Sequence, residues 1–385
     1  MRIAMSSFRF NHEGGIERAS YELAKELGAQ GDEVTLVSTA VDPAPQPPLV
    51  WNRVTMPRVP DFAVPLVYPS RATRSLSDFP FDIRHNQGGC ALRIQDVITA
   101  HSCHRAWWEM KFRHGETSRA LLNPQHHAIL RTERANYRPG SFARVIAVSE
   151  GVGREVSSLY GVPADQIRVI PNAVDIRKFQ PSDSHVRRKR VRELHGFRSG
   201  DVILLWVGKE FRRKGLAPLI EALPMLPERV KLLVVGGGDT KPFRDDAGQR
   251  GVLERVVFAG HSAQVEDYFL AGDVFVFPTL YEAFALVTLE AAAAGLPIVT
   301  TKVNGTEDFV AEGENGFFIE RNSTSIAHVL NALVKNAELR QRVGEEARRR
   351  VASYTWESVA RRTRGVYAEV VQERDRRRGV RRRFN

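Results

Sequence analysis

At roughly one domain per 150 residues, the 385-residue chain is too long for a single small module and predicts two domains or three. Apolar residues make up 43% and charged residues 26%, an ordinary globular composition that excludes wholesale disorder. Lysine and arginine number 56 against 45 acidic residues, a formal charge of +11 that points to an anionic partner.

Cys90 and Cys103 are too few for a disulfide scaffold and form no C-x-x-C pair, so a reducing, cytoplasmic setting is expected. The opening apolar run is broken by Arg2, Ser6, Ser7 and Arg9 and lacks the apolar stretch of a secretory leader. The longest apolar candidate, residues 283–301, is cut by Glu290 and Pro297, so no bilayer span is expected.

Along the chain, apolar β-branched runs alternate with amphipathic stretches. Residues 2–5 read as a strand, 16–27 as a helix (Ile16, Ala19, Leu23, Leu27) and 34–38 as a strand. Residues 42–82, rich in proline and poor in periodicity, read as a long irregular excursion. Strand-like runs return at 144–148, 167–170, 202–207, 231–235, 256–259, 274–278 and 297–301. The alternation predicts an α/β protein with two Rossmann-like, doubly wound parallel sheets facing across a cleft. The first block closes near Ile170-Pro171-Asn172, and the polar, basic stretch 182–192 that precedes the next strand marks the boundary. The expected domains are 1–172 and 173–354.

The most informative segment runs Asp273-Val274-Phe275-Val276-Phe277-Pro278, then Tyr281-Glu282-Ala283-Phe284-Ala285-Leu286, then Glu290. A buried strand ends at a proline, turns, and opens a helix whose unpaired amides around Phe284 to Val287 favour a phosphate or diphosphate. Glu282 and Glu290 would stand roughly 12 Å apart if the span were helical throughout, too far for a paired general acid and base. That separation suits two carboxylates gripping hydroxyls on either side of a diphosphate, as in a nucleotide-sugar. It equally suits a solvated Glu282 and a Glu290 facing water. The run 202–207 leads into Gly208-Lys209-Glu210-Phe211-Arg212-Arg213-Lys214-Gly215, where Lys209 and Lys214 are candidates to clamp a leaving diphosphate. The same loop reads alternatively as a solvated basic turn. No Asp-x-Asp pair lies near, so protein cations are expected to neutralise the diphosphate, with no metal or other cofactor.

Together, Glu282-x7-Glu290, Val207-Gly208 with Arg213-Lys214-Gly215, Val235-Gly236-Gly237-Gly238, Ile170-Pro171-Asn172-Ala173-Val174-Asp175 and Gly14-Gly15 resemble retaining glycosyltransferases of the GT-B fold, family 4. The likeness spans nearly the whole chain. Within the family the layout most resembles lipopolysaccharide-core glucosyltransferases that work at the inner membrane face, particularly around 149–156 and 207–226.

The resemblance implies roles for single residues. Gly14 and Gly15 match the turn that lets backbone approach the donor phosphate; a glycine pair ahead of a helix starting near Ile16 also serves any strand-to-helix turn. His101, ending Asp96-Val97-Ile98-Thr99-Ala100, matches the family's histidine near the acceptor and the anomeric carbon. His104 is its rival, and Ser102 stands where the family has aspartate. Cys90, His101, Cys103 and His104 match no familiar zinc spacing. Lys209, where the family often has arginine, and Lys214 would contact the diphosphate. Glu290 would hold the ribose diol, and Glu282 the donor sugar hydroxyls. The amides of Phe284, Ala285 and Leu286 would hold sugar and phosphates, with Ala285 at a position usually glycine. Gly260-His261 would line the base pocket. The family retains anomeric configuration by attack on the face the diphosphate leaves, and a phosphate oxygen takes the acceptor's proton. Domain closure would exclude water.

Between Arg105 and Arg144, the aromatic residues Trp107, Trp108, Phe112 and Tyr137 lie among Arg105, Lys111, Arg113, Arg119, Arg131, Arg134 and Arg138. This suits a segment on an anionic membrane surface, as in the enzymes resembled, or a core-packed tryptophan pair on a solvated helix. The tail, Arg374-Asp375-Arg376-Arg377-Arg378 on to Arg381-Arg382-Arg383, reads as solvated and disordered ahead of membrane or nonspecific nucleic-acid contact. The helical stretch opened by Tyr354-Thr355-Trp356 would, by the resemblance, cross back so that 355–385 packs on the first domain. The expected activity is transfer from a nucleotide-diphosphate sugar, a UDP-sugar first, to a lipid-linked or polysaccharide acceptor such as lipopolysaccharide core, in the cytoplasm or on the inner face of the membrane. The alternatives are a sugar-nucleotide epimerase of related fold and a basic nucleic-acid-binding protein, although no specific nucleic-acid module is recognisable.

Overall fold

The computed structural model describes residues 1–12, 14–77, 79–88, 92–113 and 123–383. It divides into two compact units, Met1–Asn172 together with Trp356–Asn385, and Ala173–Thr355.

The first unit is built on a parallel sheet. Its strands are β1 (Arg2–Ser6), β3 (Glu33–Ser38), β5 (Leu49–Arg53), β6 (Ile83–Asn86), β7 (Val97–Ala100), β8 (Arg144–Ala147) and β9 (Ile167–Val169), in the order β5-β3-β1-β6-β7-β8-β9. A separate small pair joins β2 (Arg9–Phe10) to β4 (Ala40–Val41). All four residues of β7 are buried, as in a strand covered on both faces. The helix Gly15–Ala29 turns Ala19, Leu23 and Leu27 inward, following the spacing of its apolar residues.

The span 42–82 is not irregular throughout: it contains β5 and the helix Val64–Ser77. Pro65 falls in the first turn, where its missing N–H costs no helical bond. Tyr68 is buried, its hydroxyl 2.8 Å from the Val37 carbonyl and 2.9 Å from that of Ser7, and this tertiary anchor outweighs the weak local pattern. Strand β6, at the middle of the sheet, escapes an apolar-run criterion because it is Ile-Arg-His-Asn, with His85 and Asn86 fully buried in hydrogen bonds.

The helix Trp356–Arg383 packs on this unit. Gln30 donates to the Glu357 carbonyl (3.3 Å), Arg362 donates to the Val169 carbonyl (2.6 Å), and Tyr367 is fully buried. Arg144 and Arg168 on β8 and β9 pair with Glu369, and Arg144 also with Glu373. The expectation of a disordered basic tail fails: the helix continues to Arg383, and Arg374 Nη1 donates to the Asp82 carbonyl at 3.0 Å.

The second unit carries a parallel sheet ordered β12-β11-β10-β13-β14-β15. Its strands are β10 (Val202–Val207), β11 (Val230–Val235), β12 (Val256–Gly260), β13 (Val274–Phe277), β14 (Ile298–Thr300) and β15 (Gly316–Phe318). Every residue of β10 is buried, including Trp206 at its core. The basic stretch at 182–192 does not mark the boundary, which falls at Asn172/Ala173. It forms the helix Ser184–Leu194 inside this unit, because Asp267 and Asp273 answer its charges. Arg188 and Arg192 each lie 2.6 Å from an Asp273 oxygen, and Arg187 lies 3.1 Å from the buried Asp267. Because β10 lies between β11 and β13, the loops leaving their carboxyl ends are neighbours, the usual place for a ligand in such a sheet. Among the described residues no helix is long and apolar enough to cross a membrane.

Candidate active site

In the second unit three strand-end loops close on one another, and glycine allows it. Gly236 has φ +143°, and a Cβ there would lie 2.7 Å from the Gly208 carbonyl carbon. Gly215 has φ +78°, and a Cβ there would lie 2.6 Å from the Pro278 carbonyl carbon. Only a residue without a side chain suits both the backbone angle and the approach.

The result is a small ionic cluster. Glu282 Oε1 accepts from Arg213 Nη1 at 2.9 Å and from Thr279 Oγ1 at 3.3 Å, and it lies 3.3 Å from Lys214 Nζ. Arg213 also donates to the Tyr281 carbonyl and pairs with Glu210. Burial works against the Arg213 charge, but Glu282 and Glu210 outweigh it and its pKa is raised. Lys214 Nζ stands 4.9 Å from the Phe277 ring centroid, and its carbonyl accepts from Trp206 Nε1 at 3.0 Å. The basic loop is therefore not simply solvated: Lys214 and Glu282 side chains are 15% and 12% exposed. Arg213, which sequence reasoning passed over, makes the shorter contact to Glu282; its place beside Lys214 was the available signal.

Three expectations about the following helix are corrected. The helix is Leu286–Ala294, so Glu282 lies in the turn before it and the premise of continuous helix between the two glutamates fails. Glu290 is buried, 4% exposed, so it does not face water. The Leu286 amide is not free, since it donates to the Phe284 carbonyl at 3.0 Å; a tight turn at the helix entrance consumes that donor. Ala285 is the N-cap residue and is buried, and Phe284 is half-buried. Lys209, beyond the end of β10, and His261, one residue past β12, are both exposed.

In the first unit Gly14 caps the helix and Gly15 is its first residue, one position earlier than the spacing predicted. The Gly14 carbonyl accepts from Arg18 N at 3.0 Å. His101 follows β7 directly, its Nε2 3.1 Å from Gln87 Oε1, and burial lowers its pKa to about 4. His104 opens the helix His104–Arg113; burial, with His126 and Lys111 nearby, likewise lowers it to about 4. Both histidines line one cavity of about 570 Å³, together with Phe8, Gln87, Thr99 and Ser102. Two neutral imidazoles there offer hydrogen bonds rather than charge. Glu133, unforeseen, accepts from the amides of His104 (2.7 Å) and Arg105 (3.0 Å) and so orders the start of that helix. Cys103 is buried and its thiol is pushed up by that burial, away from the thiolate a metal would need. Cys90 lies outside the described residues.

Of the aromatic and basic segment, Trp108 is buried and its ring lies 4.9 Å from that of His126, while Trp107 is half-buried under Lys111 Nζ at 4.2 Å. Trp108, Phe112, Arg105, Arg113, Arg131 and Arg134 line an open groove of about 900 Å³. Arg119 lies outside the described residues.

Residues 13–178 match Glycosyltransferase Family 4, and residues 187–350 match Glycosyl transferases group 1. Uncharacterized glycosyltransferase MJ1607 of Methanocaldococcus jannaschii is 32% identical over 58% of this chain, a match that spans 59% of that protein. A D-inositol 3-phosphate glycosyltransferase of Stackebrandtia nassauensis is 30% identical over 72% of this chain and 69% of its own length. One from Xylanimonas cellulosilytica is 27% identical over 94% and 93%. In structure, the chain is similar to WaaG, a glycosyltransferase involved in lipopolysaccharide biosynthesis, with a TM-score of 0.79 at 23% identity over 95% of this chain and 99% of that one. That likeness assigns the GT-B architecture. With family and fold in hand, the epimerase and nucleic-acid readings are set aside. The chain belongs to glycosyltransferase family 4 and is a glycosyltransferase enzyme.

Proposed function

We propose that the enzyme transfers a sugar, with retention of anomeric configuration, from a nucleotide-diphosphate sugar to a lipid-linked or polysaccharide acceptor. The observation that carries the donor side is the convergence of Arg213 and Lys214 on Glu282 at the carboxyl ends of β10 and β13. Cations partly shielded from water are poised to stabilise charge growing on a leaving diphosphate. In this reading Glu282, held by those cations, accepts from a donor sugar hydroxyl, and buried Glu290 accepts from the ribose. Lys209, His261 and the amides of Phe284 and Ala285 complete the donor contacts proposed in the second unit, the Leu286 amide being taken up by the Phe284 carbonyl; in the first unit Gly14 and Gly15 are proposed as phosphate-contacting backbone. His101 sits with the acceptor. Protein cations do the neutralising, so chelation with EDTA should leave turnover unchanged.

A UDP-sugar is the first donor to test, because Anabaena HepE, which shares the fold at a TM-score of 0.72, has been crystallised with UDP and glucose. UDP-, GDP- and ADP-sugars are compared by thermal shift, since a ligand of the native state raises the melting temperature. The product's anomeric configuration then tests retention. Donor binding undiminished by Glu290→Ala would overturn the site, and an inverted product would overturn retention. The relatives named D-inositol 3-phosphate glycosyltransferase make a small polyol phosphate an acceptor to include beside lipopolysaccharide core. The cationic, aromatic-floored groove near Trp108 supports contact with anionic lipid at the inner membrane face, the helical tail 374–383 adding charge. Sedimentation with anionic vesicles that weakens at high salt is expected; none at low salt would refute it.

A further inference from the structure

Behind His101 lies a buried chain of hydrogen bonds that no expectation foresaw. Gln87 is 1% exposed and stands one residue past β6, with its backbone N–H fastened to the Ser6 carbonyl at 2.9 Å. Its carbonyl oxygen is 3.1 Å from His101 Nε2, and its amide nitrogen is 3.1 Å from His85 Nδ1. His85 is fully buried, with Nδ1 2.6 Å from the Tyr367 hydroxyl and Nε2 2.7 Å from Thr99 Oγ1. Ser20 Oγ, which donates to the Ile16 carbonyl at 2.8 Å, lies 3.4 Å from Gln87 Oε1. Ser6 thus fixes the Gln87 backbone, while the side-chain NH2 stays on the His85 side, 3.1 Å from Nδ1 and 3.3 Å from Nε2, and leaves the carbonyl oxygen facing His101.

A carbonyl oxygen can only accept, so the His101 nitrogen that meets it carries the proton. In a neutral imidazole the other nitrogen is then the acceptor. We infer that Gln87 is a positioning residue that holds His101 in its Nε2–H tautomer, leaving Nδ1 as the nitrogen that accepts a hydrogen bond from the acceptor's attacking hydroxyl. The inference rests on the reading of His101 as the residue beside the acceptor. It adds which ring nitrogen works and what selects it. During transfer the hydroxyl proton still leaves to the departing phosphate oxygen; His101 orients the hydroxyl and retains its own proton.

The test uses the full-length enzyme with ring-¹⁵N-labelled histidine, His101→Ala identifying the resonance. Nitrogen shifts should show Nε2 protonated and Nδ1 bare in the wild type. In Gln87→Leu the two tautomers should mix, and kcat should fall by about ten- to a hundredfold with the donor KM unchanged. Gln87→Glu, whose carboxylate still accepts from Nε2–H, should recover the tautomer and part of kcat, which a role in packing alone would not predict. A wild-type proton on Nδ1, or a Gln87→Leu enzyme with wild-type kcat beside an inactive His101→Ala, would overturn the inference. Full activity in His101→Ala would instead overturn the reading of His101, and the nitrogen shifts would still decide which tautomer Gln87 selects.

Discussion

Gly215→Ala isolates the loop packing on which the donor site depends. The new Cβ would lie 2.6 Å from the Pro278 carbonyl carbon and 2.9 Å from its Cβ, both inside ordinary van der Waals contact. The clashing partner is backbone, and the φ of +78° is unfavourable for alanine, so rotamer adjustment gives no relief. Left-handed strain of about 1–2 kcal/mol adds to overpacking of about 1–3 kcal/mol, for a loss of roughly 2–5 kcal/mol. To relieve the contact the Gly208–Gly215 loop and the Pro278 turn must part by about 1 Å, and a shift of that size at a reacting centre costs about a hundredfold in rate. Urea unfolding followed by tryptophan fluorescence gives the first quantity, since buried Trp206 sits beneath the loop, and initial-rate kinetics gives the second. Gly248→Ala is the control: it lies in the helix Lys241–Gln249, nothing stands within 4 Å of its Cβ position, and stability should be unchanged or slightly raised. If Gly215→Ala unfolds at the wild-type urea concentration and turns over normally, the three loops are not packed as described.

Lys214→Ala should lower transfer by about 10²- to 10³-fold in kcat/KM while melting near the wild-type temperature, because Arg213 at 2.9 Å still neutralises Glu282; a large fall in melting temperature would show that Lys214 is chiefly structural. Burial lowers the His85 pKa from 6.5 to about 3, so below pH 6.5 the unfolded chain binds a proton that the folded chain refuses. Its contribution to stability is complete above pH 6.5 and falls by about 1.4 kcal/mol per pH unit as the solution is acidified towards pH 3. His85→Gln should remove that part of the slope between pH 6.5 and 5 in urea titrations, and an unchanged slope would place the acid sensitivity elsewhere. Glu133→Gln keeps a side-chain acceptor for the His104 or Arg105 amide while removing the buried carboxylate's burden. It should therefore cost less stability than Glu133→Ala, measured by thermal melting; equal losses would show that the amide contacts contribute little.

The strands most open to reading were those whose partners lie on both faces. Val202–Val207 is apolar at all six positions and buried at all six, so its composition alone marks it. Strand β6 sits equally deep in its sheet but reads Ile-Arg-His-Asn, because its burial is satisfied by Tyr367, Thr99 and Gln95, residues 9 to 282 positions away. The stretch 182–192 read as the domain boundary rather than as a helix inside the second unit for the same reason: its arginines find Asp267 and Asp273, far along the chain. At the candidate site, Glu282, Lys214 and Glu290 stood out by type and spacing. The capture of Glu282 by Arg213 and Lys214 required the order β11-β10-β13, which brings two distant loops together.

Local chemistry, then, settled what neighbours along the chain can decide: where apolar runs make buried strands, where glycine ends a strand, and which motifs carry family membership. Tertiary structure decided how buried polar groups are answered. Hydrogen bonds and ion pairs act over about 3 Å, whereas their partners here stand from 9 to 282 residues apart in sequence. No periodicity along the chain records which carbonyl faces His101 or which cation holds Glu282.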